Sequence, residues 1–310
     1  MKRGVIFLLI LLVITVGLLL FVRSGIEKSG IGEGLTEELE KEPVLNITFL
    51  DVGQGDATFI EFPDGQQMLI DCAIDARVIE ALGRTMPFYD RDIDYLVVTH
   101  PDLDHYGGCI DVLNRFDVGH ILYNGFEKPY DDLWQEFDGQ LEKHRSNGKL
   151  YTLTEEQFVW NIASTTVNFL YPDHSIVDNS NVPNVEKETG ANDTSVIIKL
   201  SYGDQDVILT GDAEEDLEEY LITIYEDQLD VEILKAGHHG SKTASIEKFV
   251  SSTSPDVVVV SAGKNNKFGH PSRRVLKRFE RASTTVWRTD VSGDILISVS
   301  TSTYDVTKQF

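Results

Sequence analysis

Thr99-His100-Pro101-Asp102-Leu103-Asp104-His105 follows directly on the apolar run Asp94–Val98 (DYLVV). Four side chains of metal-ligand type therefore crowd the six positions from His100 to His105. A short apolar run bounded by polar residues reads as a buried strand, and the loop at its end is where function collects. Imidazole and carboxylate are donors that Zn²⁺, Mn²⁺ and similar divalent ions take. A loop turns alternate side chains to one side, so one such segment can serve two adjacent ions.

Outward from this loop the chain alternates strands and helices. Strands are expected around the turn-like DVGQGD of Asp51–Asp56, at Gln67–Asp71, His120–Tyr123, Thr166–Tyr171, Ser195–Tyr202, Asp206–Thr210, Val231–Ala236, Val257–Ala262, Thr285–Arg288 and Asp294–Val299. Helices are expected at Arg77–Met86, Ile110–Phe116, Glu214–Glu226, Ile246–Ser251 and Ser272–Ala282. This pattern predicts an α+β chain with a layered αββα architecture and loops at strand ends carrying function. Residues 124–165 are the least regular stretch, rich in aromatic and acidic residues, and are read as a helical insertion over the site.

Five motifs occur in order: LDVGQGDA at Leu50–Ala57, HPDLDH at His100–His105, LTGD at Leu209–Asp212, GHHGS at Gly237–Ser241 and GHPS at Gly269–Ser272. HPDLDH resembles the HxHxDH signature of the metallo-β-lactamase superfamily, with Asp102 in place of the middle histidine. Together the motifs resemble the extracytoplasmic hydrolase domain of ComEC-type DNA-uptake proteins over about residues 46–300. Such proteins usually carry a many-helix channel region as well; with one candidate span here, channel function is not implied.

The resemblance implies roles. His100 and Asp102 would hold a first metal, Asp104 and His105 a second, Asp212 would bridge both, and His238 would be the last ligand. Where the superfamily usually has a further histidine, this chain has Asn192-Asp193, so the first site is expected to bind more loosely, helped by Asn192. The implied cofactors are two divalent ions, Zn²⁺ or Mn²⁺, that activate a water for hydrolysis. Asp104, His239, Lys242 and His270 are the candidates for catalytic chemistry, with His239 also an alternative ligand. Asp56 is expected to orient a ligand histidine.

Charge separates the chain into two regions. Residues 1–234 hold 15 Lys and Arg against 45 Asp and Glu, whereas residues 235–288 hold 11 against 3. The overall charge of −24 argues against a protein that coats nucleic acid generally. The basic segment, with Lys267, Arg274 and Arg278 on or near one helix, is read instead as a local landing surface for a polyanion beside the site. With Asn192 and Ser241, these residues are the expected substrate contacts. The predicted reaction is phosphodiester hydrolysis, with DNA outside the cytoplasm as substrate. The alternatives are another phosphodiester, such as a phosphorylcholine or teichoic-acid ester, and a non-catalytic binding module on the same fold.

Gly4–Val22 (GVIFLLILLVITVGLLLFV) is apolar and uncharged. As a helix it would be about 28 Å long, close to the thickness of a bilayer's hydrocarbon. Lys2 and Arg3 before it predict a cytoplasmic N-terminus. Residues 1–23 are therefore read as an anchor rather than a cleaved signal peptide, residues 24–43 as an acidic tether, and residues 44–310 as the hydrolase domain. The expected location is the cell membrane, single-pass, with the domain extracytoplasmic. Cys72 and Cys109, both in apolar surroundings, are read as buried free thiols, a single bridge being compatible with that location.

Overall fold

The computed structural model describes residues 43–154 and 158–309. The apolar span at 4–22 and the tether at 24–42 lie outside the described residues. Among the described residues no helix is long and apolar enough to cross a membrane.

The elements run β1 (Leu45–Phe49), β2 (Thr58–Glu61), β3 (Gln67–Ile70), α1 (Arg77–Thr85), β4 (Asp92–Val98), α2 (Leu103–Tyr106), α3 (Cys109–Arg115) and β5 (Asp117–Tyr123). They continue with α4 (Asp132–Ser146), β6 (Leu150–Thr152), β7 (Phe158–Ile162), β8 (Thr165–Tyr171), β9 (Ile197–Tyr202), β10 (Gln205–Leu209) and α5 (Glu215–Tyr225). The last are β11 (Ile233–Lys235), α6 (Glu247–Thr253), β12 (Val257–Val260), α7 (Arg273–Arg281), β13 (Thr285–Arg288), α8 (Thr289–Ser292), β14 (Asp294–Val299) and β15 (Tyr304–Gln309).

Two sheets form. One has the order β15-β14-β1-β2-β3-β4-β5-β6, the other β13-β12-β11-β10-β9-β8-β7. The strands alternate sides along their length, and the sequence uses this. Leu45, Ile47 and Phe49 of β1 and Ile295, Ile297 and Val299 of β14 face the layer between the sheets, where they meet Ile198, Leu200, Val207 and Leu209. Phe59, Leu69, Leu96 and Val98 point the other way, under Val78, Leu82 and Val112 of the outer helices. Leu217, Leu221, Phe249, Val275 and Phe279 cover the second sheet in the same way. The αββα layering follows from these three apolar layers.

Residues 124–165 depart from the expectation. Trp134, Phe137 and Leu141 make an apolar stripe on α4 that packs on the outside of the first sheet, with Tyr106 and Tyr123. After α4 the chain supplies one strand to each sheet, β6 and β7, so the segment completes both layers, and its start reaches the rim of the site at Lys128. A closing strand, β15, adds to the expected set; it pairs antiparallel with β14 from Asp294↔Gln309 to Val299↔Tyr304.

The cysteines correct a second expectation. Cys72 and Cys109 form a disulfide, with no free cysteine in the chain. Cys72 ends the segment after β3 and Cys109 opens α3, and Cys72 N donates to His105 O at 2.7 Å. Local sequence around each cysteine shows only apolar burial; the pairing comes from β3 and β4 running parallel, which brings their two exits together.

Candidate metal centre

The strand ends carrying the motifs gather at one edge of the sandwich. Parallel pairing of β3, β4 and β5 in one sheet and of β10, β11 and β12 in the other aligns their C-terminal ends. Asp71, His100, Asp212 and the two histidines after β11 leave the sheets there. Asp56 comes from the start of β2, which is antiparallel to β3 and so reaches the same edge. Loops at the carboxyl ends of parallel strands are where ligands bind in open α/β sheets.

Glycine makes the close approaches possible. Gly55 has φ +112°, and a Cβ there would lie 2.3 Å from Asp104 O; without it, Asp56 N donates to the same carbonyl at 3.1 Å. Gly211, φ +50°, turns the LTGD loop against Ser195. Ser195 Oγ accepts from Asp212 N at 2.9 Å and lies 3.3 Å from His100 Nδ1, so it ties the second and third motifs together.

Each buried histidine is held by one ring nitrogen and leaves the other for a ligand. His105 Nδ1 lies 2.7 Å from Asp71 Oδ2, and Asp71 is itself fixed by Thr99 N and Thr99 Oγ1, both at 2.8 Å. His239 Nδ1 lies 3.1 Å from Ser261 O, a carbonyl that can only accept, so that nitrogen carries the proton. His100 Nδ1 faces Thr99 Oγ1 at 3.1 Å. The Nε2 atoms of His100, His105 and His239 and the Oδ1 atom of Asp212 are buried without a hydrogen-bond partner.

These orphaned atoms converge. His105 Nε2 is 3.3 Å from Asp212 Oδ1, His239 Nε2 is 3.4 Å from both Asp212 Oδ2 and Asp104 Oδ2, and His100 Nε2 is 3.7 Å from Asp102 Oδ2. Among the described residues four groups of donor atoms each lie within 4.8 Å of one another; two of them are His100, His105 and Asp212, and Asp104, His105 and His239. Buried polar atoms are normally satisfied, so unsatisfied nitrogens aimed at carboxylates fit a divalent cation between them. Asp212, between the two groups, is placed to serve both.

The site's field favours a cation. Burial works against the charged form of Asp212, but His239, His105 and His100 hold its carboxyl well below the usual range. Burial likewise opposes a charge on His239, yet Asp212 and Asp56 raise it to about 10. The carboxylates thus demand positive charge at this point, which a divalent ion between them and the imidazole nitrogens would supply.

The two consecutive histidines exchange the expected places. His239 joins Asp104, His105 and Asp212, whereas His238, assigned above as the last ligand, sits at the rim. His238 Nδ1 is 2.6 Å from Glu214 Oε1 and 3.2 Å from Asn192 Nδ2, and its Nε2 is 3.8 Å from Asp212 Oδ2. Both residues have positive φ, 41° and 53°, a strained conformation for non-glycine residues that clusters at functional sites. It is this turn that buries His239 and leaves His238 partly exposed. His270 stands beside His238, ring centroids 5.5 Å apart, with a buried Nδ1 that has no partner.

Other expected contacts are placed differently. Arg278 is buried at 8% exposure, and its Nη1 donates to Ala244 O and Ser245 O at 2.7 and 2.8 Å. It is not free to meet a polyanion, because the helix turns it inward to hold the loop after GHHGS. Ser241 is buried and its Oγ pairs with Thr243 Oγ1, which in turn donates to Glu214. Asn192 supports His238 rather than standing open. Lys242, Lys267 and Arg274 are exposed. Asp56 lies 3.5 Å from His239 Nδ1, and its other oxygen is 2.5 Å from the buried ammonium of Lys235.

Lys235 and Lys128 have no counterpart in the sequence reading. Lys235 lies in an apolar stretch with no motif around it. Lys128 comes from the loop before α4 and pairs with Asp102.

Glu218 of α5 holds the same loop as Arg278, accepting from Ser245 N and Ile246 N at 2.6 and 2.8 Å. Burial pushes its carboxyl from 4.5 up to about 8. The folded state therefore binds the proton more tightly than the unfolded chain. That contribution to stability is complete below about pH 4.5 and is lost as pH rises through about 8. Glu218→Gln is expected to gain on the wild type by on the order of 3 kcal/mol between about pH 5 and pH 9. Urea unfolding of both proteins in chelator measures this; a difference independent of pH would contradict it.

Two packed sheets, outer helices and a histidine–aspartate cluster between strand-end loops define the class of αββα metal-site proteins. The chain belongs to the metallo-beta-lactamase superfamily, which residues 50–264 match and whose members include metal-dependent hydrolases. It is 28% identical over 268 residues to ComE operon protein 3 of Bacillus subtilis, covering 80% of this chain and 32% of that protein. It is also 28% identical over 268 residues to Recombination protein 2 of Haemophilus influenzae, covering 85% and 30%. The chain thus spans about a third of the length of the curated relatives it matches. Among solved structures, the diiron β-hydroxylase CmlA of Streptomyces venezuelae aligns with a TM-score of 0.48 and 13% identity, over 87% of this chain and 55% of that one.

Proposed function

We propose that this chain is a metal-dependent phosphodiesterase that cleaves DNA outside the cytoplasm, anchored in the membrane by residues 4–22. The observation that carries the reading is the convergence of unsatisfied His100, His105 and His239 nitrogens on the Asp104 and Asp212 carboxylates. Asp102, with Lys128 against it, and His238, held by Glu214, complete the ligand candidates at the rim. Two divalent ions there, Zn²⁺ or Mn²⁺, would supply the Lewis acidity and the activated water of in-line phosphoryl hydrolysis. Asp71 and Ser261 fix His105 and His239 so that Nε2 is presented. His270, with its unpartnered Nδ1, is the group we assign to protonating the leaving oxygen. Exposed Lys267 and Arg274 attract the phosphates of the strand.

Two further observations support the reading. Recombination is a transaction of DNA, and the name of the Haemophilus relative favours DNA among phosphodiesters. The Cys72–Cys109 disulfide favours an oxidising compartment.

The purified chain with Mn²⁺ or Zn²⁺ should cleave linear DNA, and EDTA or His105→Ala should abolish cleavage. Hydrolysis of bis(p-nitrophenyl) phosphate without cleavage of DNA would move the reading to another phosphodiester. Shielding of the domain from added protease in intact cells would overturn the location.

A further inference from the structure

A cavity of about 400 Å³ opens directly beside the candidate metal centre, sharing Asp104 with it. Ile74, Leu103 and Phe268 make its walls apolar, and Gln54 and Lys267 give it polar edges. Phe268 is 56% exposed, although aromatic rings are usually covered. Its loop is nonetheless fixed: Asn266 Nδ2 donates to Gly263 O and His270 O at 2.9 and 2.6 Å, and Asn266 Oδ1 accepts from His270 N at 2.9 Å. The Phe268 ring is nearly parallel to that of His270, at 12° with centroids 5.9 Å apart, and Lys267 Nζ lies 5.1 Å from the Phe268 centroid. Gln54 Nε2 is 3.4 Å from Asp104 Oδ2, while Gln54 Oε1 is buried with no partner.

An occupant that fits is flat and apolar on its faces, polar at the edge where Gln54 and Lys267 stand, and hangs from a phosphate held at the metal centre. An alkyl chain has no flat face to lay on the Phe268 ring and no polar group for the edge that Gln54 and Lys267 supply. A nucleobase meets all three requirements, since every base has a π-face and an N–H edge. A base paired within a duplex is stacked and cannot enter.

We propose that this cavity takes one unpaired nucleobase of the substrate, stacked on Phe268 with its polar edge toward Gln54 and Lys267, so that the chain prefers single-stranded DNA or frayed ends. The proposal deepens the phosphodiesterase reading and rests on it for the position of the phosphate. Base–aromatic stacking tolerates any sequence, so no base preference is required.

The test compares fluorescein-labelled (dT)₆ with a six-residue abasic phosphodiester of the same length. Binding to the full chain is read by anisotropy with Ca²⁺ replacing Mn²⁺. The wild type should bind (dT)₆ about tenfold more tightly than the abasic strand, a typical gain from one stacked base. Phe268→Ala should remove that preference and leave the abasic strand unchanged, and Phe268→Tyr should keep it. Equal binding of the two strands, equal weakening of both by Phe268→Ala, or no saturable binding of (dT)₆ would overturn the proposal. Cleavage in Mn²⁺ is followed in parallel. A Phe268-dependent preference with no cleavage of any strand would leave the base site standing and defeat the phosphodiesterase reading.

Discussion

Asp212→Ala is expected to cost at least about a hundredfold in affinity for Zn²⁺ or Mn²⁺ and to remove hydrolysis of any phosphodiester that the wild type cleaves. Losing a group that merely hydrogen-bonds a ligand typically costs about 10–100-fold. Asp212 does more, because its two oxygens lie 3.3 Å from His105 Nε2, 3.4 Å from His239 Nε2 and 3.8 Å from His238 Nε2. Alanine leaves those nitrogens facing a gap, and no neighbouring oxygen spans both donor groups. Asp212→Asn keeps the shape and the Ser195 contact at the backbone but removes the charge, so it should also fail, more mildly. Competition with a chromophoric chelator measures the affinity. Wild-type affinity in the alanine variant would show that the ions, if bound, lie elsewhere.

Lys235→Met is expected to destabilise the chain by about 3–5 kcal/mol in chelator. That is the range for stranding one member of a buried ion pair. Lys235 is 3% exposed and Asp56 1%, and the ammonium also donates to Gly211 O at 2.8 Å and Ala236 O at 3.2 Å. Methionine fills the space but leaves the Asp56 carboxylate in a low-dielectric setting with the imidazoles of His239 and His105 near it and no ammonium against it. Adding Asp56→Asn should recover part of the loss, since the uncompensated charge is then gone. Guanidinium unfolding of the three proteins gives the numbers. A loss below about 1 kcal/mol, the level of an exposed pair, would contradict this account.

The parts of the site that are local in sequence were legible in advance. HPDLDH announces itself because its donors are contiguous and follow an apolar strand, and the αββα layering follows from β-branched runs with regular spacing. What was hidden depends on long-range pairing or on backbone conformation. His238 and His239 are neighbours of one residue type, and only the left-handed turn decides which one is buried with Asp104 and Asp212. Lys235 lies in an apolar run and gains its meaning from Asp56, 179 residues earlier in the chain. Arg278 belongs to a run of basic residues on α7, and the helix phase that turns it inward is set by packing against Ala244 and Ser245. The disulfide required knowing that the exits of β3 and β4 meet. In residues 124–165, the short strands β6 and β7 are edge strands whose pattern is set by the sheets that they complete.

On our proposal, side chains from His100 to His239, distant in the chain, would seat a pair of divalent ions around Asp212. Isothermal titration of Mn²⁺ and Zn²⁺ into the chelator-stripped full chain tests this most directly. Saturation at two ions per chain is expected, with both sites weakened in Asp212→Ala and the Asp104-side site lost in His239→Ala. Absence of binding, or two-ion binding unchanged by either substitution, would contradict it.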